Sequence, residues 1–395
     1  MPGPLEGIKV LSFGRFLSGP YAAMMLGDMG AEVVKVETPK LGDFARFAGP
    51  HRDGISSYFL SINRGKKSVT LNLKADRARK IVGRLAGKAD ILLENFRPGV
   101  MDKLGLGYGT LHRQNPRLIY ASISGFGYTG PYSKRPAVDM IAQGMGGLVS
   151  ITGEPDRPPV RAGYSIGDLG ASLFASTAVL AALHERSRSG EGQWIDISMM
   201  DCQVALCENA CARYFATGEV PGPVGSRHPL FTPFQVFPTL DGYIVLIAME
   251  DGQWKTFCRA AGREGWIKDE FFGTNEARLT HYDQFLDEMN ALMRTRSTRE
   301  WTDLLDARGL MCGPVNNIEQ VVRDPHVQAR DMIVEVEHDR AGRLKVVGTP
   351  MKFSRTPCRI DRACPDLGAH TDEILKSWLD LSDDDLNGLR DEGVV

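Results

Sequence analysis

A basic excess, paired cysteines and long apolar runs are all missing from this 395-residue chain. Lys and Arg number 47 against 49 Asp and Glu, a formal charge of -2, so nothing favours a nucleic-acid backbone as partner. The seven cysteines form no Cys-x-x-Cys pair, and Cys207 and Cys211, one helical turn apart, read as small core residues. An odd cysteine count suits a reducing, cytoplasmic setting. The eight histidines show no metal-ligand spacing, so no metal site is expected. No run approaches the roughly 18 apolar residues of a membrane span, and the stretch Met1 to Lys9 carries Glu6 and no signal core. Neither a membrane partner nor export is expected.

What remains is an ordinary globular composition, 43% hydrophobic and 24% charged, long enough for two or three domains. Ile8 to Phe13 predicts a strand, Gly14 to Pro20 a loop with breakers, Tyr21 to Met29 a helix and Ala31 to Glu37 a second strand. This β-α-β unit predicts a parallel sheet in an α/β domain. Its first loop lacks Gly-x-Gly-x-x-Gly, which disfavours a dinucleotide. Further strands are predicted over 68–73, 90–94, 117–124 and 194–198, with helices over 77–87, 135–147, 169–183 and 199–217.

The Gly- and Pro-rich segment 218–229 marks a boundary. A smaller α/β or α+β domain follows, with a strand over 243–248, three helices, a turn at Cys312 to Val315 and a hairpin around Asp339 to Gly342. The organisation expected is therefore 1–198, a linker over 199–229, a small domain over 230–330 and a C-terminal segment over 331–395.

Four features carry chemistry. Asp168 stands between Gly167 and Gly170 at the head of a long apolar helix. It is either a first-turn acid favoured by the helix dipole or a nucleophilic carboxylate, and spacing alone does not choose. Asp139 poses the same choice, a first-turn acid or a second carboxylate near the site. Asn95, Phe96 and Arg97 follow a strand, where parallel sheets bind ligands, with Phe96 suited to an adenine and Arg97 to a phosphate. Arg64, Lys66 and Lys67 are either a solvated turn or further phosphate contacts.

Taken in order, Leu5-Glu6-Gly7-Ile8, Ser18-Gly19-Pro20, Leu26 to Glu37, Glu94-Asn95-Phe96-Arg97-Pro98-Gly99, Ser124-Gly125-Phe126-Gly127, Gly167-Asp168, Gly192-Gln193, Gly313-Pro314-Val315 and Leu367 to Leu375 resemble the family III CoA-transferases. The resemblance covers essentially the whole chain. It implies a Rossmann-like domain built from the N- and C-terminal segments, a smaller inserted domain and an interlocked homodimer. It implies Asp168 as the nucleophile that carries CoA as an aspartyl thioester, with acyl-CoA and carboxylic acids as substrates and no permanently bound cofactor. CoA contacts carry over to Arg15, Phe16, Leu71, Lys74, Asn95, Phe96, Arg97 and Lys103. Leu17 stands where the formyl-CoA enzyme has glutamine, and Thr38 replaces a basic residue. The glycine-rich lid is absent too, so a carboxylate larger than oxalate is expected, with succinyl-CoA or a similar thioester as donor. Arg227 and His228 either pair with a distal carboxylate or belong to a solvated loop.

Two other functions compete. A related α-methylacyl-CoA racemase moves a proton and needs a histidine before the residue matching Asp139, where this chain has Val138. A non-catalytic acyl-CoA-binding protein has no need of Asp168.

Overall fold

The structure, a computed structural model, describes residues 2–395. The chain divides into two units. The first comprises residues up to Leu148, Arg161–Phe215 and Pro325–Val395, and the second Val149–Val160 and Ala216–Asp324.

The first unit is built on a six-stranded sheet of β1 (Lys9–Ser12), β2 (Glu32–Glu37), β3 (Lys67–Thr70), β4 (Ile91–Glu94), β5 (Ile119–Ser124) and β6 (Trp194–Ser198). The strand order is β3-β2-β1-β4-β5-β6 and every pairing is parallel, with Val10 opposite Val33 and Leu11 opposite Leu92. The inner strands read as near-continuous apolar runs because helices cover both faces. On one face, helices Asp76–Ala86, Thr371–Leu379 and Asp383–Asp391 bring Ile81, Leu85, Ile374, Trp378 and Leu386 against Leu11, Leu92 and Tyr120. On the other, helix α1 (Ser18–Asp28) and a 24-residue helix, Ile166–Ser189, set Ala22, Leu26, Ala171, Ala175 and Val179 against Val10, Ile91 and Ile119.

Three expectations for this unit need correction. Helix α1 begins at Ser18, inside the stretch expected to be loop. Pro20 does not break it, because amides of the first helical turn have no intrahelical acceptor to lose. The helix Ile166–Ser189 is long and apolar enough to cross a bilayer, the only such helix among the described residues, although Gly, Ser and Thr hide this from a run count. Its inner face, from Gly167 to Ala182, is buried in the core just described. The helix expected over 199–217 is interrupted at Cys207, whose ψ of 24° leaves the helical range.

The second unit carries a three-stranded antiparallel sheet of β7 (Phe234–Pro238), β8 (Tyr243–Ile247) and β9 (Met311–Pro314), in the order β9-β8-β7. Cys312 to Val315 are expected as a turn. Met311–Pro314 form an edge strand instead, the position in a sheet that tolerates proline. Phe237, Trp254, Phe257, Phe285, Met289 and Trp301 fill the core of this unit.

Candidate active site

In the strand order of the main sheet, β1 and β4 are neighbours whose connections leave in opposite directions. The crevice beyond their C-terminal ends is where open α/β sheets take ligands. Here the loop after β1 supplies Arg15 and Phe16, the loop after β4 supplies Asn95, Phe96 and Arg97, and the end of β5 supplies Ser124 and Gly125. With Ser18, Tyr58, Arg135, Asp139 and Asp168 they line one cavity of about 450 Å³, within the size range of small-ligand sites. The two loops are stitched together. Asn95 Oδ1 accepts from the Arg15 amide at 2.8 Å, and its Nδ2 donates to the Arg15 carbonyl at 2.9 Å and to Ser18 Oγ at 3.0 Å. The Arg15 guanidinium lies 4.8 Å from the centre of the Phe96 ring. Gly125 permits Ala137 to close the far wall, since a Cβ there would sit 2.3 Å from that of Ala137.

Asp168 lies in the first turn of Ile166–Ser189 and also faces the first turn of α1. Burial pushes its carboxyl up and the negative charge of Asp139 adds to this, while hydrogen bonds from the Ser18 hydroxyl and amide pull it down, leaving it at about 6. At neutral pH the group is therefore ionised but weakly stabilised, as suits a nucleophile. The Ser18 amide at a helix N-terminus is also the kind of donor that steadies a developing oxyanion.

Asp139 begins a short helix, Asp139–Met145. It accepts from the Gly167 amide at 2.8 Å and from the fully buried Gln143 at 2.8 Å. Gln143 in turn accepts from the Ala162 amide at 3.1 Å, so this pair fixes the strap that leads into Asp168. The small residues around Asp168 serve this packing. A Cβ on Gly167 would lie 2.9 Å from Asp139 Oδ1, and one on Gly170 would lie 3.1 Å from Leu206. Only Gly163 is open, with nothing within 4 Å.

The remaining expected residues spread more widely. Leu71 lines a smaller crevice with Thr38, Leu73, Arg15 and Phe96, which adjoins the cavity through the last two. Lys74 and Lys103 are exposed and line neither space. Leu17 is buried and is not among the residues that line the cavity. Arg227 and His228 belong to the second unit. There the Arg227 guanidinium sits 4.5 Å from the Tyr282 ring centre, and His228 stacks at 4.9 Å on Phe234.

The three candidate phosphate cations are committed elsewhere. Arg64 is buried against Asp28, Lys66 Nζ donates to the Pro20 and Ile62 carbonyls and to Asn63 Oδ1, and Lys67 pairs with Glu32 and Glu373. Conversely, Tyr58 and Arg135 line the cavity without having been singled out as site residues. Tyr58 sits on a short helix, Ser57–Asn63. Burial and the charges of Asp168, Asp43 and Asp139 push its phenol up to about 12, so it stays a hydrogen-bond donor.

A protein-family model for CoA-transferase family III matches residues 5–371. The chain belongs to the family III CoA-transferases. Among relatives of this CoA-transferase, the succinate--glutarate CoA-transferase of Agrobacterium fabrum is 39% identical over 94% of this chain and 95% of its own length. The acetyl-CoA:oxalate CoA-transferase of Acetobacter aceti is 38% identical over 89% and 90% respectively. Among solved structures, a CAIB/BAIF family protein from Brucella suis superimposes with a TM-score of 0.87 at 36% identity, covering 96% of this chain and all of that one. As a family III CoA-transferase the protein takes CoA thioesters and carboxylic acids as substrates.

Proposed function

We propose that this CoA-transferase moves CoA from succinyl-CoA to a C5 dicarboxylate such as glutarate, with Asp168 as nucleophile. The observation that carries the reading is the Asp168 carboxyl, held at about 6 in a cavity walled by Arg15, Phe16, Asn95, Phe96 and Arg97. Asp168 attacks the thioester carbonyl, forming a mixed anhydride and releasing CoA as thiolate. The thiolate attacks the aspartyl carbonyl of the anhydride, which frees succinate and leaves an aspartyl-CoA thioester. The acceptor carboxylate then displaces the thiolate to form a second anhydride. Attack of the thiolate on the acceptor's own carbonyl yields the new acyl-CoA and restores Asp168.

Arg15, Phe16, Asn95, Phe96 and Arg97 would hold CoA, with Leu71 at the edge and Lys74 and Lys103 reaching it as exposed cations. Asp139 acts on the nucleophile through Gly167. Arg227 and His228 remain candidates for the distal carboxylate. The name of the Agrobacterium relative supports succinyl and glutaryl substrates for this chain, as does the absence of the formyl-type glutamine at Leu17. A racemase is disfavoured, since no histidine lines the cavity among the described residues to oppose an acid.

The test mixes the protein with succinyl-CoA, traps with hydroxylamine or borohydride and maps the modified peptide. An adduct on Asp168, with glutarate turned over and oxalate and formate inert, is the expected result. An acceptor panel in which only oxalate and formate react would refute the substrate class. We further propose that the enzyme acts as an interlocked homodimer. Its mass in solution should be twice the 43.4 kDa of the chain, and a monomer at micromolar concentration would rule this out.

A further inference from the structure

Phe16, in the loop after β1, has φ 54°, a left-handed conformation that is costly for a residue with a side chain. Such a backbone persists only where its surroundings over-determine it, and these positions gather at ligand clamps. The surroundings here can be named. Asp43, 2% exposed, accepts from the Phe16 amide at 3.2 Å and from the Ala45 amide at 3.0 Å through the same oxygen, Oδ1. Its Oδ2 accepts at 2.8 Å from Lys35 Nζ, and Lys35, 1% exposed on β2, also donates to the Gly14 carbonyl at 2.6 Å. Two residues of one loop, Gly14 and Phe16, are thus tied to the two ends of one buried ion pair.

The pair is itself held in place. The Asp43 amide donates to Glu37 Oε2 at 2.9 Å, and Glu37 accepts from Arg46 at 2.6 and 2.8 Å and from Ser68 Oγ at 2.7 Å. Burial pushes the Glu37 carboxyl up, but Arg46 and Lys35 outweigh it and hold it below the usual range. None of these four charged side chains lines the main cavity, although Lys35, Glu37 and Asp43 border the smaller crevice beside it, where each is already paired. Two buried ion pairs side by side are a poor way to gain stability, because desolvation offsets most of their attraction. What they do secure is the loop that presents Arg15 and Phe16 to the cavity.

We propose that Asp43, with Lys35, is a positioning residue for coenzyme A, holding the Arg15–Phe16 loop in its left-handed, binding-ready shape before the substrate arrives. The inference rests on the assignment of this cavity to CoA. A loop ordered in advance does not have to be ordered at the cost of binding affinity. Asp43→Ala therefore weakens CoA binding by releasing the loop.

The experiment is calorimetric titration with CoA alone, without donor or acceptor, on wild type, Asp43→Ala, Phe16→Gly and the double variant. Asp43→Ala should raise the Kd roughly 10- to 100-fold. Phe16→Gly loses the ring, but glycine takes the left-handed shape freely, so in the Asp43→Ala background it should restore part of the loss. The double variant should then bind about 5-fold tighter than the product of the single effects predicts. Asp43→Asn keeps an oxygen for the Phe16 and Ala45 amides and should lie between wild type and Asp43→Ala, which keeps the test decisive if the alanine variant does not fold. Asp43→Ala that binds CoA normally, effects that simply multiply, or Asp43→Asn as impaired as Asp43→Ala would each overturn the proposal. Wild type that failed to bind CoA would remove the CoA assignment itself, an outcome distinct from all of these.

Discussion

Asp168→Asn is expected to abolish CoA transfer and, at the same time, to make the fold more stable at neutral and alkaline pH. Loss of a covalent nucleophile costs on the order of 10⁴-fold or more in turnover. The gain in stability follows from the same carboxyl. Its value in the fold is about 6, raised first by burial and then by Asp139. An unfolded chain would give a value near ~3.9. A raised carboxyl contributes stability only while protonated, so the contribution is complete below pH ~4 and is lost as pH rises through 6. Above that, the ionised group costs the fold about 2 kcal/mol after allowance for solvent screening.

Asparagine removes that cost. Denaturation at pH 8 should show the variant as the more stable protein, and at pH 4 the difference should vanish. A wild type more stable than Asp168→Asn at pH 8 would contradict the buried, like-charged surroundings described for this residue. The wild-type rate should fall on the acid side with a midpoint near 6, since only the carboxylate attacks, reaching about a tenth of its plateau at pH 5.

The second large effect lies far from the chemistry. Arg64→Ala is expected to destabilise the first unit by about 3–5 kcal/mol. The guanidinium meets both oxygens of Asp28, Nε to Oδ1 at 3.1 Å and Nη2 to Oδ2 at 2.6 Å, and Nη1 donates to the Val347 carbonyl at 2.8 Å. Both side chains are about 5% exposed. Burial outweighs the pairing and leaves the Asp28 carboxyl above its usual range, so little net stabilisation comes from the pair itself. The cost of the single substitution is the carboxylate left behind without a partner. Arg64→Met combined with Asp28→Leu removes both charges and should cost markedly less. Urea midpoints of the single and double variants decide it, and equal losses would show that packing, and not the abandoned charge, sets the cost.

Arg64 also shows what one chain of letters conveals. Arg64, Lys66 and Lys67 read as a basic turn, since nothing local marks them as buried. Arg64 pairs with Asp28 and Val347, 36 and 283 residues away, and Lys67 with Glu373, 306 away, while Lys66 reaches back to Pro20 as well as to nearby Ile62 and Asn63. The strands of the main sheet were legible because apolar runs between breakers carry their own signal, and the motif order carried the family. The convergence of Arg15, Phe16, Asn95, Phe96 and Arg97 follows from strand order, which local pattern does not encode. Tyr58 escaped notice for a different reason: its helix, Ser57–Asn63, is too short to show a period.

The C-terminal helices have a bearing on how the protein is made. Thr371 Oγ1 accepts from the Thr70 amide, a partner translated 301 residues earlier. At ordinary elongation rates of about 5–20 residues per second, that separation corresponds to roughly 15–60 s on the ribosome. For most of that interval the nascent sheet carries Leu11, Val69 and Leu92 without the Ile374, Leu375 and Trp378 that later cover them. The emerging chain must therefore hold this apolar face uncovered until residues 371–379 have been made, so the last part of the sheet's cover to arrive sets when this half of the core can close.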